Sequence, residues 1–201
     1  MLNFAFLTYV AIMSVTPGPN NLMLAASGGN FGFRRTLPHM LGISLGHALQ
    51  VFLVGLFLAW IMAMLGSVRP ILAVIGCGYL LWLSWKIWRS ASPEGKEVAR
   101  PMSFIAAAAF QWINPKAWVM VLNTVILFLP AGQQNGQAAL SLALLCAAIN
   151  LPCIAVWAWL GDALRHHLLE LRNLKIFNGT MATLMALTAF YLLYDELVSL
   201  V

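Results

Sequence analysis

The sequence predicts an all-α membrane protein with six transmembrane helices, arranged as an inverted repeat of three plus three. Three features predict this fold: the composition, the lengths of the apolar runs, and two proline motifs about half a chain apart. Of the 201 residues, 62% are hydrophobic and 8% are charged, whereas a soluble domain carries about 25% charged residues. Because a water-soluble fold of this size cannot hide so much apolar surface, we expect the bilayer to be its solvent.

Six apolar runs are long enough to cross a membrane, since a span needs roughly 20 residues. We interpret the whole chain, 1–201, as one polytopic domain with a first half, 1–95, and a second half, 96–201. The runs are residues 4–27, 40–64 and 71–88 in the first half and residues 102–129, 137–160 and 176–193 in the second. The polar stretch 90–100 is the predicted linker between the halves.

The first run of each half is interrupted by proline. The interruptions are Thr16-Pro17-Gly18-Pro19-Asn20-Asn21 in span one and Asn114-Pro115-Lys116 in span four. Proline removes a backbone donor and clashes with the preceding turn, so both spans are predicted to be broken. Three spans per half turn the second half upside down, which brings both breaks near the middle of the membrane. Broken helices in corresponding positions are typical of substrate sites in secondary transporters.

The distribution of positive charge predicts the orientation. Nine of the 11 Lys and Arg residues fall on one side of the predicted spans: Arg34, Arg35, Lys86, Arg89, Lys96, Arg100, Arg165, Arg172 and Lys175. By the positive-inside rule this side faces the cytoplasm, so both termini are expected on the outer side. Because the first basic residue is Arg34, we expect no cleavable leader, whose start would be basic.

Several classes of partner are excluded by the pattern of residues. The basic residues are scattered singly, without the stripe that binds nucleic acid. The cysteines (Cys77, Cys146 and Cys153) lie in apolar runs and are interpreted as reduced thiols. Neighbouring His166 and His167 point in different directions on a helix, so no metal or other cofactor is expected. Membrane lipid is the expected surrounding, and a homo-oligomer remains open.

Glycine and tryptophan indicate packing and membrane depth. Gly42 and Gly46 predict a close helix–helix contact, and we interpret Gly76 and Gly78 in the same way. The tryptophans near basic residues or span ends predict interfacial anchors; they are Trp82, Trp85, Trp88, Trp157 and Trp159. Polar residues within spans either line a pathway or bond between helices, and these include His47, Gln111 and Asn150.

Lys116 is the main candidate for chemistry, because a cation at mid-membrane is costly and marks a functional site by default. No acidic residue is expected nearby, so a substrate carboxylate is the predicted partner, with help from the N-termini of the half-helices. Two alternatives stay open: a lysine whose head reaches water or Asp162, and a proton carrier. The predicted substrate-binding residues are Pro17, Pro19, Asn20, Asn21, Asn114, Pro115 and Lys116.

Four motifs together resemble the LysE/RhtB family of bacterial amino-acid exporters. They are Thr16-Pro17-Gly18-Pro19-Asn20-Asn21-Leu22, Gly42-x3-Gly46, Gly76-x2-Tyr79-Leu80-x-Trp82-Leu83-x-Trp85-Lys86 and Asn114-Pro115-Lys116-Ala117. The resemblance implies a transporter of the inner membrane that exports small neutral amino acids, most like the threonine, homoserine and cysteine branch, and that is driven by an ion gradient, with protons expected. The rival interpretation is a membrane-embedded enzyme that uses Lys116, although no second catalytic group is evident.

Overall fold

The computed structural model describes residues 4–90, 100–129 and 135–198. In this part of the chain all regular structure is helical. The helices are α1 (Phe4–Val15), α2 (Pro19–Phe31), α3 (Phe33–Ser90), α4 (Phe104–Phe110), α5 (Pro115–Phe128), α6 (Gly136–Ala163) and α7 (Leu171–Val198), with a 3-10 turn at His167–Leu169. The linker expected at residues 90–100 falls almost wholly outside the described residues.

Three of the described helical stretches are long and apolar enough to cross a membrane: Phe33–Leu58, Gly136–Ala163 and Leu171–Tyr194. Two shorter helices, Phe4–Val15 and Pro115–Phe128, are also apolar. Large apolar side chains also cover the outside, where Ile105 is 78% exposed and Leu127 is 63% exposed. A surface of this kind suits hydrocarbon rather than water as the solvent.

The N-terminal part of α3 packs parallel to α4 through two glycines. A Cβ on Gly42 would overlap the backbone of Phe104, and a Cβ on Gly46 would overlap that of Ala108. The predicted close contact at these glycines is therefore confirmed. Helical geometry fails further along at Phe57, where φ is −118° and ψ is 24°. Predicted spans two and three both lie within α3, and Phe57 falls inside the predicted span two, 40–64.

The C-terminal part of α3 runs the other way along α4. The Tyr79 ring lies 5.5 Å from the Phe110 ring, and a Cβ on Gly76 would overlap the carbonyl of Ile113. The chain therefore reverses its direction within α3. Gly76 is a close-contact glycine as expected, but the packing expectation for Gly78 is wrong, because a Cβ there would meet nothing within 4 Å.

Helices of the two halves pack in antiparallel pairs. At one end of α1 the Phe6 ring lies 5.2 Å from the Phe128 ring of α5, and beyond its other end Thr16 bonds Lys116 of α5. The same relation recurs where α3 meets α6 and α7. The contacts are Ser44 with Ala147, Gly55 with Ala139, Ser84 with Ala182 and Trp88 with Gly179.

The most enclosed helix is α2, with ten of its 13 residues buried. It crosses α6 so closely that a Cβ on Gly28 would overlap the carbonyl of Ala158, and a Cβ on Gly161 would overlap that of Ala25. Absent side chains thus let two backbones touch, as in close membrane helix pairs. This crossing holds the N-terminus of α2 inside the bundle, where the candidate site lies.

We predict that Gly76→Ala lowers thermal stability while Gly78→Ala does not. The added methyl at 76 must displace the Ile113 backbone, and overpacking of this kind costs about 1–3 kcal/mol. At this chain length the melting temperature should fall by roughly 3–10 °C, as measured on the purified protein in detergent. Gly78→Ala is the matched control on the same helix, and equal melting of both variants would contradict the packing described here.

Candidate functional site

The first part of the site is the gap between α1 and α2. Pro17 and Pro19 have no backbone N–H, and Gly18 is fully extended, with φ 177° and ψ 178°. The last carbonyls of α1 therefore lose the donors that a continuing helix would supply. Buried carbonyls without donors are costly, so other groups must replace them.

Side chains supply the missing donors one by one. Thr16 Oγ1 donates to the Met13 carbonyl at 3.1 Å, and Asn21 Nδ2 donates to the Ser14 carbonyl at 2.8 Å. The indole of Trp157, on α6, donates to the carbonyl of Val15 at 2.9 Å. The indole N–H of Trp157 therefore helps to end α1, while its expected position at the membrane interface stays a prediction.

Lys116 supplies the remaining donors from the opposite half. Its Nζ donates to the Thr16 carbonyl at 2.8 Å, to Thr16 Oγ1 at 2.9 Å and to the Pro17 carbonyl at 3.2 Å. These three bonds use all three donors of an ammonium group. The ammonium also lies at the C-terminal end of α1, where the helix dipole favours a cation. We call this arrangement the lysine bridge.

The lysine bridge identifies the groups that bind the ammonium of Lys116 where no acidic residue was expected. In the described part of the chain, uncharged oxygens rather than a carboxylate bind the ammonium. Asp162, the acidic residue that the Lys116 side chain could have reached, lies instead beside Gly32 and Arg165. The side chain of Lys116 also lies against Gly18, where a Cβ would come within 2.7 Å of its Cδ. Glycine at 18 therefore makes room for the bridge.

The second part of the site is the gap between α4 and α5. The chain leaves α4 at Phe110 and turns through residues 111–114, and α5 begins at Pro115. Pro115 suits this first helical position because its N–H would be unpaired there. The Asn114 side chain caps α5 by accepting a hydrogen bond from the Lys116 backbone N–H at 3.2 Å. Lys116 is thus in the first turn of α5 rather than in the interruption itself.

A pair of side-chain amides also joins the two gaps. Asn20 Nδ2 donates to Gln111 Oε1 at 2.9 Å, and Gln111 Nε2 donates back to Asn20 Oδ1 at 3.3 Å. Gln50 Nε2 adds a bond to the Gln111 carbonyl at 3.3 Å. The gaps are therefore in direct contact through this pair and through the lysine bridge.

A small cavity of about 40 Å³, here named the central cavity, lies between the two gaps. Four of the predicted site residues line it: Asn20, Asn21, Asn114 and Lys116. The three predicted prolines are not among its lining residues; Pro17 contributes a carbonyl to the lysine bridge, and Pro19 and Pro115 begin the half-helices. The cavity has room for about three water molecules.

Four further polar residues line the central cavity: Ser14, His47, Gln111 and Asn150. Three of them are predicted from the sequence as polar residues within apolar runs; Ser14 also lies in an apolar run but is not among the predicted residues. Asn150 Nδ2 donates to Ser14 Oγ at 3.0 Å. Asn150 Oδ1 and His47 Nε2 are buried without a partner. These two atoms are available to a bound molecule.

The charges of the central cavity favour a molecule with a negative group. The first turns of α2 and α5 both start beside it, and helix N-termini attract anions through their free N–H groups. The ammonium of Lys116 adds a full positive charge. The unpaired Asn150 oxygen, in contrast, can accept a hydrogen bond from a positive group. No metal-binding group of three or more His, Cys, Asp or Glu residues occurs in the described ranges.

Comparison with known proteins gives a consistent result. Residues 11–196 match the family described as LysE type translocator. A cysteine/O-acetylserine efflux protein of Salmonella paratyphi A is 30% identical over 196 residues, covering 95% of this chain and 98% of the relative. A protein of the same name from Escherichia coli K12 is 30% identical over 192 residues, covering 93% and 96%. No solved structure matches the chain. These names describe transport rather than catalysis.

We predict that Asn21→Asp destabilises the protein. The aspartate keeps the shape of the side chain but removes the amide donor that serves the carbonyls of Ser14 and Thr16. Leaving a buried acceptor unpaired costs about 1–3 kcal/mol, so the melting temperature should fall by several degrees.

Asn135→Asp is the control, because Asn135 caps α6 with its oxygen alone and aspartate caps equally well. If Asn21→Asp and Asn135→Asp have the same melting temperature, the donor role of Asn21 is wrong.

Proposed function

The chain belongs to the LysE type translocator family, and from this premise we propose that it exports small neutral amino acids or their derivatives across the bacterial inner membrane. Cysteine and O-acetylserine are the proposed substrates, because the relatives matched along most of the chain are named for their efflux. The observation that supports export best is the central cavity, where two helix gaps, a half-buried cation and two unpaired polar atoms meet.

The proposed architecture is the six-span inverted repeat, with spans one and four broken at the proline motifs. The antiparallel pairs support it, because each predicted span of the first half packs against its counterpart in the second. The reversal within α3 supports two spans there. For orientation we propose cytoplasmic basic residues and outward termini, on the basis of the charge pattern.

We propose that the substrate carboxylate binds at Lys116 and the N-termini of α2 and α5. A carboxylate makes charge-assisted hydrogen bonds, which are roughly twice as strong as neutral ones. It can therefore displace the Thr16 and Pro17 oxygens that bind the ammonium in this structure. Asn21 and Asn114 then hold the two helix ends in place. Asn20 is positioned for the substrate by its hydrogen bond to Gln111.

The substrate ammonium group is proposed to bind at Asn150, a different lining residue of the central cavity. Asn150 Oδ1 is unpaired there, and Ser14 Oγ already contacts the same amide. His47 Nε2 offers a further unpaired nitrogen. A zwitterion would thus meet a cation at one end and neutral acceptors at the other. This arrangement suits a neutral amino acid better than a cationic one.

Binding and movement are linked in this proposal. An amino acid needs far more room than three waters, so the central cavity must open when it binds. Exchange of the lysine bridge for a substrate carboxylate removes three bonds between the halves, which frees them to rock. The proton gradient is the proposed driving force, with Lys116 as the candidate proton carrier.

We predict that Lys116→Gln lowers transport at least tenfold. The test is counterflow of labelled O-acetyl-L-serine in proteoliposomes, which a transporter shows and a membrane-embedded enzyme does not. Glutamine keeps hydrogen-bond donors but removes the charge, so the loss would reflect the missing cation. The control is Lys175→Gln, an exposed lysine at the start of α7, which should transport normally.

Unchanged rate and pH dependence in Lys116→Gln would reject the role of Lys116 while leaving export open. Absence of counterflow in the unsubstituted protein, for cysteine as well as O-acetyl-L-serine, would reject the proposed substrates.

A further inference from the structure

A second and much larger cavity lies nearer the basic end of the bundle. Its volume is about 480 Å³, and it is bounded by α2, both parts of α3 and the segment that leads into α4. We call it the basic vestibule. Ligand pockets typically measure about 300–1,000 Å³, so a small hydrated solute fits without any rearrangement of the helices.

Two cations line the basic vestibule, and no carboxylate is among its described lining residues. Lys86 Nζ lies 4.2 Å from the centre of the Trp82 ring, which holds it at the wall. Arg100 is exposed at the rim. Two cations at the mouth of a membrane cavity attract anions and raise their local concentration.

The basic vestibule also contains a buried histidine that the lysine bridge and the central cavity do not use. His39 is only 2% exposed, yet neither of its ring nitrogens has a hydrogen-bond partner. A neutral imidazole presents one donor and one acceptor, and leaving both buried and unpaired is costly. A polar molecule in the vestibule would satisfy them.

The two cavities lie in sequence along the same helices. On α2, Asn20 lines the central cavity and Met23 lines the basic vestibule, one turn apart. On α3, Ile43 lines the central cavity and His39 lines the basic vestibule, again one turn apart. Buried Met40 on α3 lies among the apolar residues at this level. A solute in the basic vestibule is therefore about one helical turn of apolar packing away from the central cavity.

From this geometry we propose that the basic vestibule is a second amino-acid site, which receives the substrate before it enters the central cavity. Lys86 and Arg100 bind the carboxylate, and His39 binds the amino group or a polar side chain. The Tyr79 and Trp82 rings form an apolar wall beside them. This inference rests on the proposed function, since it makes the vestibule the cytoplasmic entrance of an exporter.

The test is protection of a cysteine placed in the vestibule. Ser103 is exposed and lines this cavity, so Ser103→Cys should react with a soluble maleimide. Modification is read on the peptide that contains residue 103, which lets the native cysteines remain. The protein is held in phosphatidylcholine nanodiscs, and the probe is O-acetyl-L-serine. His166→Cys, exposed between α6 and α7 and outside the predicted spans, is the control site, and its rate of modification should not respond to the probe.

We predict that saturating O-acetyl-L-serine slows modification at residue 103 at least fivefold. Adding His39→Leu or Arg100→Gln should shift half-maximal protection to about tenfold higher probe concentration, the loss expected for one charge-assisted or buried hydrogen bond. Arg100→Gln keeps the test valid if His39→Leu fails to fold. Lys116→Gln should leave protection intact, because Lys116 belongs to the central cavity.

Three results would overturn the second site. They are no protection at residue 103, protection that survives both vestibule substitutions but disappears in Lys116→Gln, and protection by phosphatidylglycerol nanodiscs to which O-acetyl-L-serine adds nothing. The last result would identify a lipid headgroup as the occupant. Protection without counterflow would instead reject the proposed export while the vestibule site stands.

Discussion

Hydrogen bonding of the last carbonyls of α1 is the constraint on which the rest of the structure depends. In an apolar bundle surrounded by lipid, a helix that stops leaves carbonyls that water cannot reach. Thr16, Asn21 and Trp157 donate to the last three carbonyls of α1, and Lys116 donates to the two carbonyls that follow them. The donors come from the gap itself, from α2, from α6 and from α5. Ending one helix therefore fixes the positions of three others.

The same groups that stabilise the gap can bind a substrate. A helix gap in the bundle exposes carbonyls at one helix end and N–H groups at the next, and these attract opposite charges. In this structure Lys116 contacts the carbonyl end, and no acidic residue is among the described lining of the central cavity to serve the two N-termini. The contacts of Lys116 join the two halves and are made to neutral oxygens. In the proposed mechanism a carboxylate competes for this ammonium, so that stability and substrate binding would both depend on one side chain.

The sequence predicts the helical membrane fold because composition and run length are properties of the chain alone. It also places the helix ends near the two proline motifs, since proline acts on its own backbone. The partners of those ends could not be predicted. Lys116 bonds a residue 100 positions away, and Trp157 bonds one 142 positions away. Hydrogen bonds between such distant residues depend on tertiary packing. The position of Ser14 in the lining of the central cavity depends on packing as well, as does the reversal of the chain within α3, where non-helical geometry is described only at Phe57.

The most direct test of the account is an experimental structure with a bound amino acid, in which the distances from Lys116 Nζ to its oxygen partners are measured. We expect a carboxylate oxygen of the ligand within about 3 Å of Nζ, the distance of a charge-assisted hydrogen bond. We also expect the Thr16 and Pro17 carbonyls to lie beyond hydrogen-bonding distance of Nζ. A bound amino acid with the lysine bridge intact, at the 2.8 Å and 3.2 Å found here, would contradict the exchange of partners at the centre of the account.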